Sequence, residues 1–555
     1  MTSTQRPLLP QPAAKRADSL EWLVSTDHKR IGLLILGTSL VLFYAFGALA
    51  MTMRSQLAFP GQHLLSNQAY DQIFTMHGTG MIALVVTPIA FGLGVYLVPL
   101  MIGAPAIAAP RVTLLGYWLY VVGALSLLLG AAVPGGAAAG WWGYTPLSNG
   151  TYSPGAGMNL WVIGVSLAAC GMLLLSGTVA WTILTRRAPG MTMMRLPVFC
   201  WSMLVTCLMG LTAFPSLLSA MGLLGLERID PGAYTANFWN VLYEHMFWFY
   251  GHPVVYIMFF PFIGAVMEVL STFAGRRLFG YKGTVLALLG FAAGSMAVWG
   301  HHMFATAQVV NDYYSLTSNL LSIPAGIEYF AMLGTLIGGR LRYRTPMLFA
   351  LAFIPQFLIG GLSGILVADP AIDYNLNDSY FIVAHFHYTL FAGSIFGLFA
   401  GIYYWMPKAT GIMYDERLGR LHFVLMVIGT NLAFLPMFGL GFLGMPRRVA
   451  SYPGNEGLNA LNLTSSIGAF IIGLSMLVFA YNLYLSKRRQ VPAPPDPWRG
   501  HTLEWATSSP PPRFNFTSEF PVPKVRSYAP LLDIRGARRE RQAAGSTEAG
   551  QAADG

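Results

Sequence analysis

Charged residues are scarce in this sequence. Aspartate, glutamate, lysine and arginine together make up 10% of its 555 residues, whereas a soluble domain carries about 25%. Hydrophobic residues make up 55%, and the mean hydropathy is +0.54. This composition excludes a disordered chain, a nucleic-acid-binding protein and an ordinary soluble enzyme, and it indicates a protein whose solvent is lipid.

Cysteine is almost absent. The three cysteines, Cys170, Cys200 and Cys207, all lie in apolar runs and form no C-x-x-C pair. The sequence therefore predicts neither a disulfide framework nor a cysteine-based metal site. Eleven histidines, by contrast, are many for so apolar a chain, and they are the feature that needs a functional explanation.

Long apolar runs dominate what is present. Because about 20 apolar residues cross the hydrocarbon core of a bilayer, the sequence predicts twelve membrane-spanning segments. They are 31–53, 73–101, 112–133, 158–185, 196–222, 238–269, 284–309, 316–340, 346–368, 379–405, 421–443 and 461–485. None shows the alternating pattern of a β-barrel strand. We therefore expect an all-α, polytopic membrane bundle of about twelve transmembrane helices.

The loops between these segments differ in charge. One alternate set carries most of the basic residues: Arg111, Arg186, Arg187, Arg195, Arg276, Arg277, Lys282, Arg340, Arg342, Arg344, Lys408, Arg417 and Arg420. By the positive-inside rule this set is cytoplasmic, which places both termini on the cytoplasmic side of the cell membrane. Membrane orientation thus explains the net charge of +10 better than a nucleic-acid-binding surface does. We predict a cytoplasmic N-terminal segment at 1–25, a twelve-helix domain at 26–488 and a proline-rich, basic cytoplasmic tail at 489–555.

Six of the eleven histidines lie inside predicted spans: His77, His252, His301, His302, His385 and His387. An ionisable side chain at membrane depth is costly and is a functional candidate by default. A single buried histidine could be structural, but six in four spans indicate a functional cluster. The other five fall near span ends or in loops, where we expect ordinary interfacial or solvated residues: His28, His63, His245, His422 and His501.

The spacing of the histidines sharpens this interpretation. His385 and His387 are two residues apart, so on a helix they point about 200° apart and can serve two different sites. His301 and His302 are adjacent, which suits two ligands of one ion where the helix is locally distorted.

The chemistry of imidazole indicates which metals to expect. Imidazole binds copper and iron, and three histidines with an open position suit a reactive copper. Histidine is also an axial haem ligand. The sequence has no C-x-x-C-H motif, so a covalently attached haem is not expected. Tyr256 lies one helical turn after His252 and shares its face.

Seven long motifs surround these residues: STDHKRIG (25–32), MHGTGM (76–81), YLVPLMIGAP (96–105), FWFYGHPVVY (247–256), WGHHMF (299–304), VAHFHY (383–388) and GMPRR (444–448). With these motifs, from about Trp22 to about Phe516, the chain closely resembles subunit I of the haem–copper oxygen reductases, the cytochrome c oxidases of the A type. The resemblance implies the fold of that subunit, with two haems and copper B.

The resemblance also implies a role for each histidine in the spans. His77 and His387 would be the two axial ligands of a low-spin haem, and His385 would be the proximal ligand of a high-spin haem. Copper B would be bound opposite that haem by His252, His301 and His302. Tyr256 would be the catalytic residue, covalently linked to His252 and giving a proton and an electron during O–O cleavage.

Four further residues match cofactor-binding positions of the family. Arg447 and Arg448 would hold haem propionates, because a guanidinium fork is well suited to carboxylates. Arg54 matches the arginine that meets the formyl group of haem A, which favours haem A over haem B. Trp141 matches the tryptophan near the propionates. The structural alternatives are an interfacial anchor for Arg54 and an aromatic-belt residue for Trp141.

The sequence departs from the A-type pattern where the family conducts protons. Val254 replaces a glutamate after the G-H-P motif, and Ala106 replaces the aspartate that opens the D channel. Glu328 stands at the position of the K-channel lysine. Proton pumping by the usual routes is therefore not implied.

Two residues could compensate for these losses. We hypothesise that Tyr250 reaches the space of the missing glutamate, and that Glu328 relays protons toward Tyr256. The alternatives are a packed aromatic ring and a buried, neutral carboxyl group. Asp378 would be a magnesium ligand, with Asn377 in place of the usual histidine, since an amide oxygen can also bind Mg²⁺.

The resemblance implies the catalytic subunit of a terminal respiratory oxidase that reduces O₂ to water. Electrons would come from cytochrome c or a similar donor through the low-spin haem. The expected partners are subunit II, which carries copper A, and subunit III. A nitric oxide reductase or quinol oxidase variant and a catalytically silent haem-binding membrane protein are the alternatives. Tyr256 argues against a nitric oxide reductase, and the complete set of six ligands argues against the silent protein.

Overall fold

The computed structural model describes residues 19–230, 237–306, 309–454, 457–538, 540 and 542. Within these residues the chain is mostly helical, and β-structure is limited to two isolated bridges, Ser379 with Pro446 and Ile412 with Pro492. The helices are α1 (Ser19–Leu23), α2 (His28–Gln56), α3 (Asn67–Thr79), α4 (Thr87–Met101), α5 (Pro110–Ala132), α6 (Ala156–Thr185), α7 (Val198–Ile229), α8 (Asn237–Gly251), α9 (Pro253–Ala274), α10 (Tyr281–Ser295), α11 (Asn311–Leu320), α12 (Ser322–Leu336), α13 (Thr345–Val367), α14 (Pro370–Leu376), α15 (Tyr380–Phe386), α16 (Phe396–Thr410), α17 (Glu416–Phe442) and α18 (Asn459–Arg489). A further helical stretch covers 530–538.

The membrane bundle predicted from the apolar runs is confirmed. Among the described residues, eleven helical segments are long and apolar enough to cross a membrane. The remaining predicted span, the eighth at 316–340, is divided into α11 and α12 at Leu321. Pro324 explains the break, because proline lacks an N–H and its ring clashes with the carbonyl four residues earlier, that of Leu320.

Burial separates the centre of the bundle from its lipid-facing rim. Every residue of α4 and nearly every residue of α9 is buried. On α5, by contrast, Leu115, Leu125 and Leu129 are exposed. Apolar side chains on an outer face are what lipid contact requires, since a helix in a bilayer is apolar all round.

Two spans contain a π-helical segment. One covers Gly80–Val86 between α3 and α4, and the other covers His387–Ile395 between α15 and α16. Each begins at or within three residues of a candidate haem ligand, His77 or His387. Such segments are rare and concentrate at functional sites, and apolar periodicity did not predict them.

Residues 490–538 fold back against one end of the bundle. Trp498, Leu503 and Trp505 of this segment are buried. Lys408, at the end of α16, is also buried, and its Nζ donates to the carbonyl oxygens of Pro495 and Thr507 at 2.8 and 2.6 Å. Hydrogen bonds from the buried Lys408 ammonium group to backbone carbonyl oxygens therefore hold the segment against the bundle.

A second polar contact holds the same segment. Asn515 is buried, and its Oδ1 lies 3.0 Å from both His28 Nε2 and Lys29 Nζ. Its Nδ2 donates to the carbonyl oxygen of Ala104 at 2.7 Å.

These contacts correct one expectation from the sequence. His28, His422 and His501 are buried, so the prediction of interfacial or solvated side chains is wrong for these three. The C-terminal segment covers His28, and His501 is a buried residue of that segment. His422 lies inside the bundle, where its Nδ1 is 3.0 Å from the Tyr403 hydroxyl.

Small residues allow the outer helices to approach closely. On α18, a Cβ atom added at Gly468 would overlap the backbone of Leu432 and Ala433 on α17. In membranes, such glycine contacts replace the hydrophobic effect as a source of helix association.

We predict that Gly468→Ala lowers the free energy of unfolding by about 1–3 kcal/mol, because the added methyl group overpacks a helix contact. The matched control is Gly177→Ala on α6, where nothing lies within 4 Å of the added Cβ. Thermal unfolding of both variants in detergent, followed by circular dichroism, checks this. Equal melting temperatures for the two variants would contradict it.

Candidate metal centre

One large cavity collects the six histidines of the spans. It has a volume of about 1360 Å³, and its lining includes His77, His252, His301, His302, His385 and His387. This exceeds the roughly 300–1,000 Å³ of an ordinary ligand pocket. The size and the mostly apolar lining suit large planar cofactors, and the histidines would be their polar contacts.

Three of the histidines form a compact triad in this cavity. Their candidate ligand atoms all lie within 4.8 Å of one another. His302 Nε2 is 3.1 Å from His252 Nδ1 and 3.2 Å from His301 Nε2. Two nitrogens that each lie about 2.0 Å from one ion are about 3.3 Å apart in tetrahedral geometry. The triad therefore fits a single metal ion.

Local structure explains how adjacent histidines reach one point. The α10 helix ends at Ser295, and His301 and His302 lie on a 3₁₀ turn, Trp299–Met303. His252 lies at the junction of α8 and α9, directly before Pro253. All three ligands thus come from helix interruptions.

Neighbouring side chains orient two rings of the triad. Ser318 Oγ on α11 lies 2.7 Å from His301 Nδ1. The His302 ring stacks on Trp248, with ring centroids 4.1 Å apart and an interplanar angle of 17°. A hydrogen bond to the second ring nitrogen fixes which nitrogen is free for a metal.

The other three histidines share one hydrogen-bond pattern. His77 Nδ1 is 2.8 Å from the Phe46 carbonyl oxygen, and His387 Nδ1 is 2.8 Å from that of Val383. His385 Nδ1 is 3.0 Å from the Gly360 carbonyl oxygen. A carbonyl oxygen accepts a hydrogen bond from Nδ1–H, so the proton stays on Nδ1 and each Nε2 keeps a free lone pair for a metal.

His385 and His387 contact different helices, as their spacing predicts. His385 lies against α13, where Ser363 Oγ is 3.0 Å from its Nδ1. The His387 ring stacks on Phe434 of α17, with centroids 4.4 Å apart. One short stretch of chain thus presents an imidazole to two parts of the cavity.

A charged cluster closes one end of the cavity. Arg447 and Arg448 both form ion pairs with Asp378 Oδ1 and lie over the Trp142 ring. Burial opposes ionisation of Asp378, but the two guanidinium groups prevail and hold its pKa below the ordinary value. Burial raises the pKa of Asp373 to about 7, despite the field of Arg447.

Trp141 and Arg54 also line this cavity. The Trp141 ring packs on Phe247, with centroids 5.0 Å apart. Arg54 is buried, and its Nη2 donates to the Asn462 carbonyl oxygen at 2.7 Å. Its Nε and Nη1 have no hydrogen-bond partner among the described residues, so a polar group of a bound cofactor would satisfy them.

Tyr256 lies beside the triad. Its ring centroid is 4.7 Å from that of His252, and it lines the cavity. His252 Nε2 is buried without a hydrogen-bond partner.

The residues at the proton-channel positions are Tyr250, Val254 and Ala106. Val254 is fully buried, and Tyr250 packs on Phe214, with centroids 5.7 Å apart. Neither belongs to the described lining of the large cavity. Ala106 lies in the connection between α4 and α5.

Glu328 occupies a buried face of α12 with Ala331, Met332 and Thr335. Its side chain is 1% exposed, and Oε1 has no hydrogen-bond partner. The α12 helix packs against α9, which carries Tyr256, and against α10.

The sequence analysis did not predict several residues that support the site. Ser318 and Ser363 contact ring nitrogens of His301 and His385. Asn462 accepts from Arg54, and Asp373 lies in the field of Arg447. Serine and asparagine in apolar spans were the available signal, because a polar side chain at membrane depth needs a partner.

Comparison with known proteins identifies the family. The family model for cytochrome c and quinol oxidase polypeptide I matches residues 30–471. The putative cytochrome c oxidase subunit 1-beta of Streptomyces coelicolor is 46% identical over 521 residues, which cover 93% of this chain and 90% of the relative. The chain belongs to this family.

Other matches agree with subunit I. Cytochrome c oxidase subunit 1 of Corynebacterium efficiens is 44% identical over 536 residues, covering 95% of this chain and 92% of the relative. The solved structure of a haem–copper terminal oxidase dimer has the same fold, with a TM-score of 0.70 at 18% identity over 83% of this chain and 84% of the other.

The family membership carries several conclusions. The chain is subunit I of a haem–copper oxidase, the catalytic subunit of a terminal oxidase and an oxidoreductase of the respiratory chain. It is a multi-pass membrane protein that works in a complex with other subunits. Haem and copper B are the cofactors of this family, and the cavity and its triad fit them. The nitric oxide reductase and silent haem-binding alternatives are not favoured.

We predict that His302→Ala removes about one copper ion per complex, because the two remaining histidines bind copper more weakly than the complete triad. The control is His63→Ala, since His63 is exposed in the connection between α2 and α3. Metal analysis of the purified complexes measures the loss, and their haem absorption reports on folding. Unchanged copper in the His302 variant would remove the triad as the copper site.

Proposed function

We propose that this subunit reduces O₂ to water at a high-spin haem and copper B, with electrons from cytochrome c. The observation that carries the proposal is the arrangement in one cavity of the His252–His301–His302 triad, His385 and Tyr256. The reaction consumes four electrons and four protons for each O₂ and yields two water molecules.

His77 and His387 are proposed as the two axial ligands of the low-spin haem. Support comes from their shared pattern, in which a main-chain carbonyl oxygen accepts a hydrogen bond from Nδ1–H and Nε2 is left free. Both side chains also line the same cavity. The two imidazoles would hold the haem iron when the cofactor is bound.

His385 is proposed as the proximal ligand of the second haem. When bound, the haem iron and copper B supply the O₂ binding and electron delivery that no side chain can provide. The protein orients the imidazoles through Gly360, Ser363 and Ser318. Its buried, mostly apolar walls limit the access of water.

Tyr256 is proposed as the proton and electron donor for O–O cleavage. A covalent link to His252 is supported by the short ring separation of 4.7 Å and by the unpartnered Nε2 of His252. A bond at that nitrogen leaves no N–H to satisfy, which removes the cost of an unpaired buried donor. The Tyr256 hydroxyl would then hold a proton at the reacting centre.

Glu328 is proposed to relay protons toward Tyr256. Its support is a buried carboxyl oxygen without a partner, on a helix that packs against the one that carries Tyr256. Tyr250 remains a prediction as a second proton carrier. Because Ala106 and Val254 cannot exchange protons, pumping would need a route other than the usual one.

Haem A is proposed as the haem type, supported by the two unpartnered nitrogens of Arg54, which suit a formyl oxygen. Arg447, Arg448 and Trp141 would hold the propionate end. A magnesium ion is proposed beside Asp378, since Arg447 and Arg448 donate to its Oδ1 and leave Oδ2 for a metal.

Subunits II and III are the proposed partners, and the cell membrane is the proposed location, with the α4–α5 connection and residues 490–538 on the cytoplasmic side. The basic residues of the loops support this orientation. Purification of the complex with its subunits tests these proposals together. Haem extraction, metal analysis and identification of the co-purifying chains should give haem A, copper and magnesium, and a copper A subunit.

We predict that Tyr256→Phe lowers O₂ uptake by at least about 100-fold, the usual contribution of a positioned proton donor. Haem and copper contents should stay unchanged, because the phenyl ring keeps the packing. Tyr313→Phe is the matched control, since Tyr313 is exposed on α11. Oxygen electrode measurements with reduced cytochrome c provide the readout, and wild-type uptake by the Tyr256 variant would overturn its proposed role.

We predict that Glu328→Gln lowers both O₂ uptake and proton uptake, since glutamine keeps the shape but cannot exchange a proton. Glu519→Gln serves as control, because Glu519 is exposed. Both rates are measured in vesicles that contain the complex, with a pH indicator inside. Unchanged rates of both processes in the Glu328 variant would eliminate the relay.

A further inference from the structure

The 3₁₀ turn at Trp299–Met303, which we call the ligand turn, carries two of the three triad histidines. Such a turn is short and has poorer hydrogen-bond geometry than an α-helix. The positions of His301 and His302 therefore depend on contacts with neighbouring helices.

Helix α11 holds the first of these two ligands. Ser318 Oγ lies 2.7 Å from His301 Nδ1. The Tyr314 ring lies so close to Gly300 that an added Cβ atom would come within 2.4 Å of it. The α11 helix thus fixes His301, and the orientation of His302 depends on other contacts.

Helix α8 contacts the ligand turn with one face. Four of its residues, spaced i, i+1, i+4 and i+5, share about 140° of the helix surface: Glu244, His245, Trp248 and Phe249. The Trp248 ring stacks on that of His302, with centroids 4.1 Å apart. The Phe249 ring packs edge-on against Trp299, with centroids 5.1 Å apart. This face therefore contacts both the start of the turn and its second ligand.

Two hydrogen bonds join the ends of the ligand turn to the same face. On its N-terminal side, Trp299 Nε1 donates to His245 Nδ1 at 3.2 Å. On its C-terminal side, Thr306 Oγ1 donates to Glu244 Oε2 at 2.7 Å. Because Glu244 and His245 are adjacent, both ends of the turn are tied to one point on α8.

The carboxyl group of Glu244 is in a costly position. The residue is buried, inside a helical segment long and apolar enough to cross a membrane, where an ionisable side chain calls for a function. Among the described residues, Glu244 belongs neither to the triad nor to the lining of the large cavity, whereas Thr306 lines that cavity. Glu244 therefore acts on the metal centre through another residue.

The place of α8 in the chain gives this contact its importance. The helix ends at Gly251, directly before the triad ligand His252. The same helix thus leads into one ligand and holds a second one, His302, against its side. Contacts to a single helix accordingly set the 3.1 Å separation of His252 Nδ1 and His302 Nε2.

We propose that Glu244 is a positioning residue of the copper centre, which fastens the ligand turn to α8 through Thr306 and so holds His302 beside His252. This inference rests on the proposed binding of copper by the triad. Ligands that are held in place before the ion binds lose less freedom on binding, so the site keeps its ion longer.

The test measures how fast copper leaves the purified, reduced complex in the presence of a Cu(I) chelator. We expect Glu244→Ala to release copper about tenfold faster than wild type, since the loss of one hydrogen bond is worth about that factor. Thr306→Val removes the donor, keeps the shape and should accelerate release to the same extent. Elemental analysis gives copper per haem, and His302→Ala sets the level at which the triad copper is missing.

Two further variants separate positioning from charge. Glu244→Gln keeps an oxygen that can accept from Thr306, so it should release copper at nearly the wild-type rate. The double variant Glu244→Ala, Thr306→Val should release copper no faster than either single variant, because both changes break the same contact. Fast release from Glu244→Gln, or additive effects in the double variant, would overturn the proposal.

The matched controls are Glu519→Ala and Thr185→Val, which make the same chemical changes at exposed positions and should keep the wild-type release rate. An unchanged haem spectrum and melting temperature show that a variant is folded, and Thr306→Val decides the question if Glu244→Ala does not fold. Full copper in His302→Ala would overturn this inference together with the copper site. Copper loss in His302→Ala alongside wild-type release from Thr306→Val would overturn the positioning role alone.

Discussion

An imidazole buried among apolar helices must place its N–H on an acceptor, and the structure of the metal centre depends on this constraint. His77, His385 and His387 meet it with main-chain carbonyl oxygens. A helix carbonyl is normally used by its own helix, so a free one occurs where the helix is irregular or where a side chain competes for it. Each ring is thereby held with Nε2 free, which is the state that a metal ligand requires.

The same constraint explains the interruptions in the helices. His301 and His302 lie on a 3₁₀ turn, and His387 begins a π-helical segment. A regular α-helix would point adjacent side chains about 100° apart, too far for His301 and His302 to reach one ion. The bundle thus combines regular helices, which satisfy their own backbone groups in lipid, with short irregular segments where the ligands lie.

Charge is handled differently at the two ends of the bundle. At one end, Arg447 and Arg448 neutralise Asp378 and leave it ionised. At the other, Lys408 donates to carbonyl oxygens of the C-terminal segment. The paired arginines thus meet a carboxylate, whereas the buried lysine meets backbone oxygens.

The sequence by itself determined the membrane bundle, the positions of its spans and the six histidines that matter, because apolar length and costly buried imidazoles are local properties of the chain. The tertiary structure alone decided the π-helical segments and the burial of His28 and His501. Contacts such as that between Asn515 and His28 join residues far apart in the sequence. Periodicity carries no information about such contacts, since it records only which face of a helix avoids water.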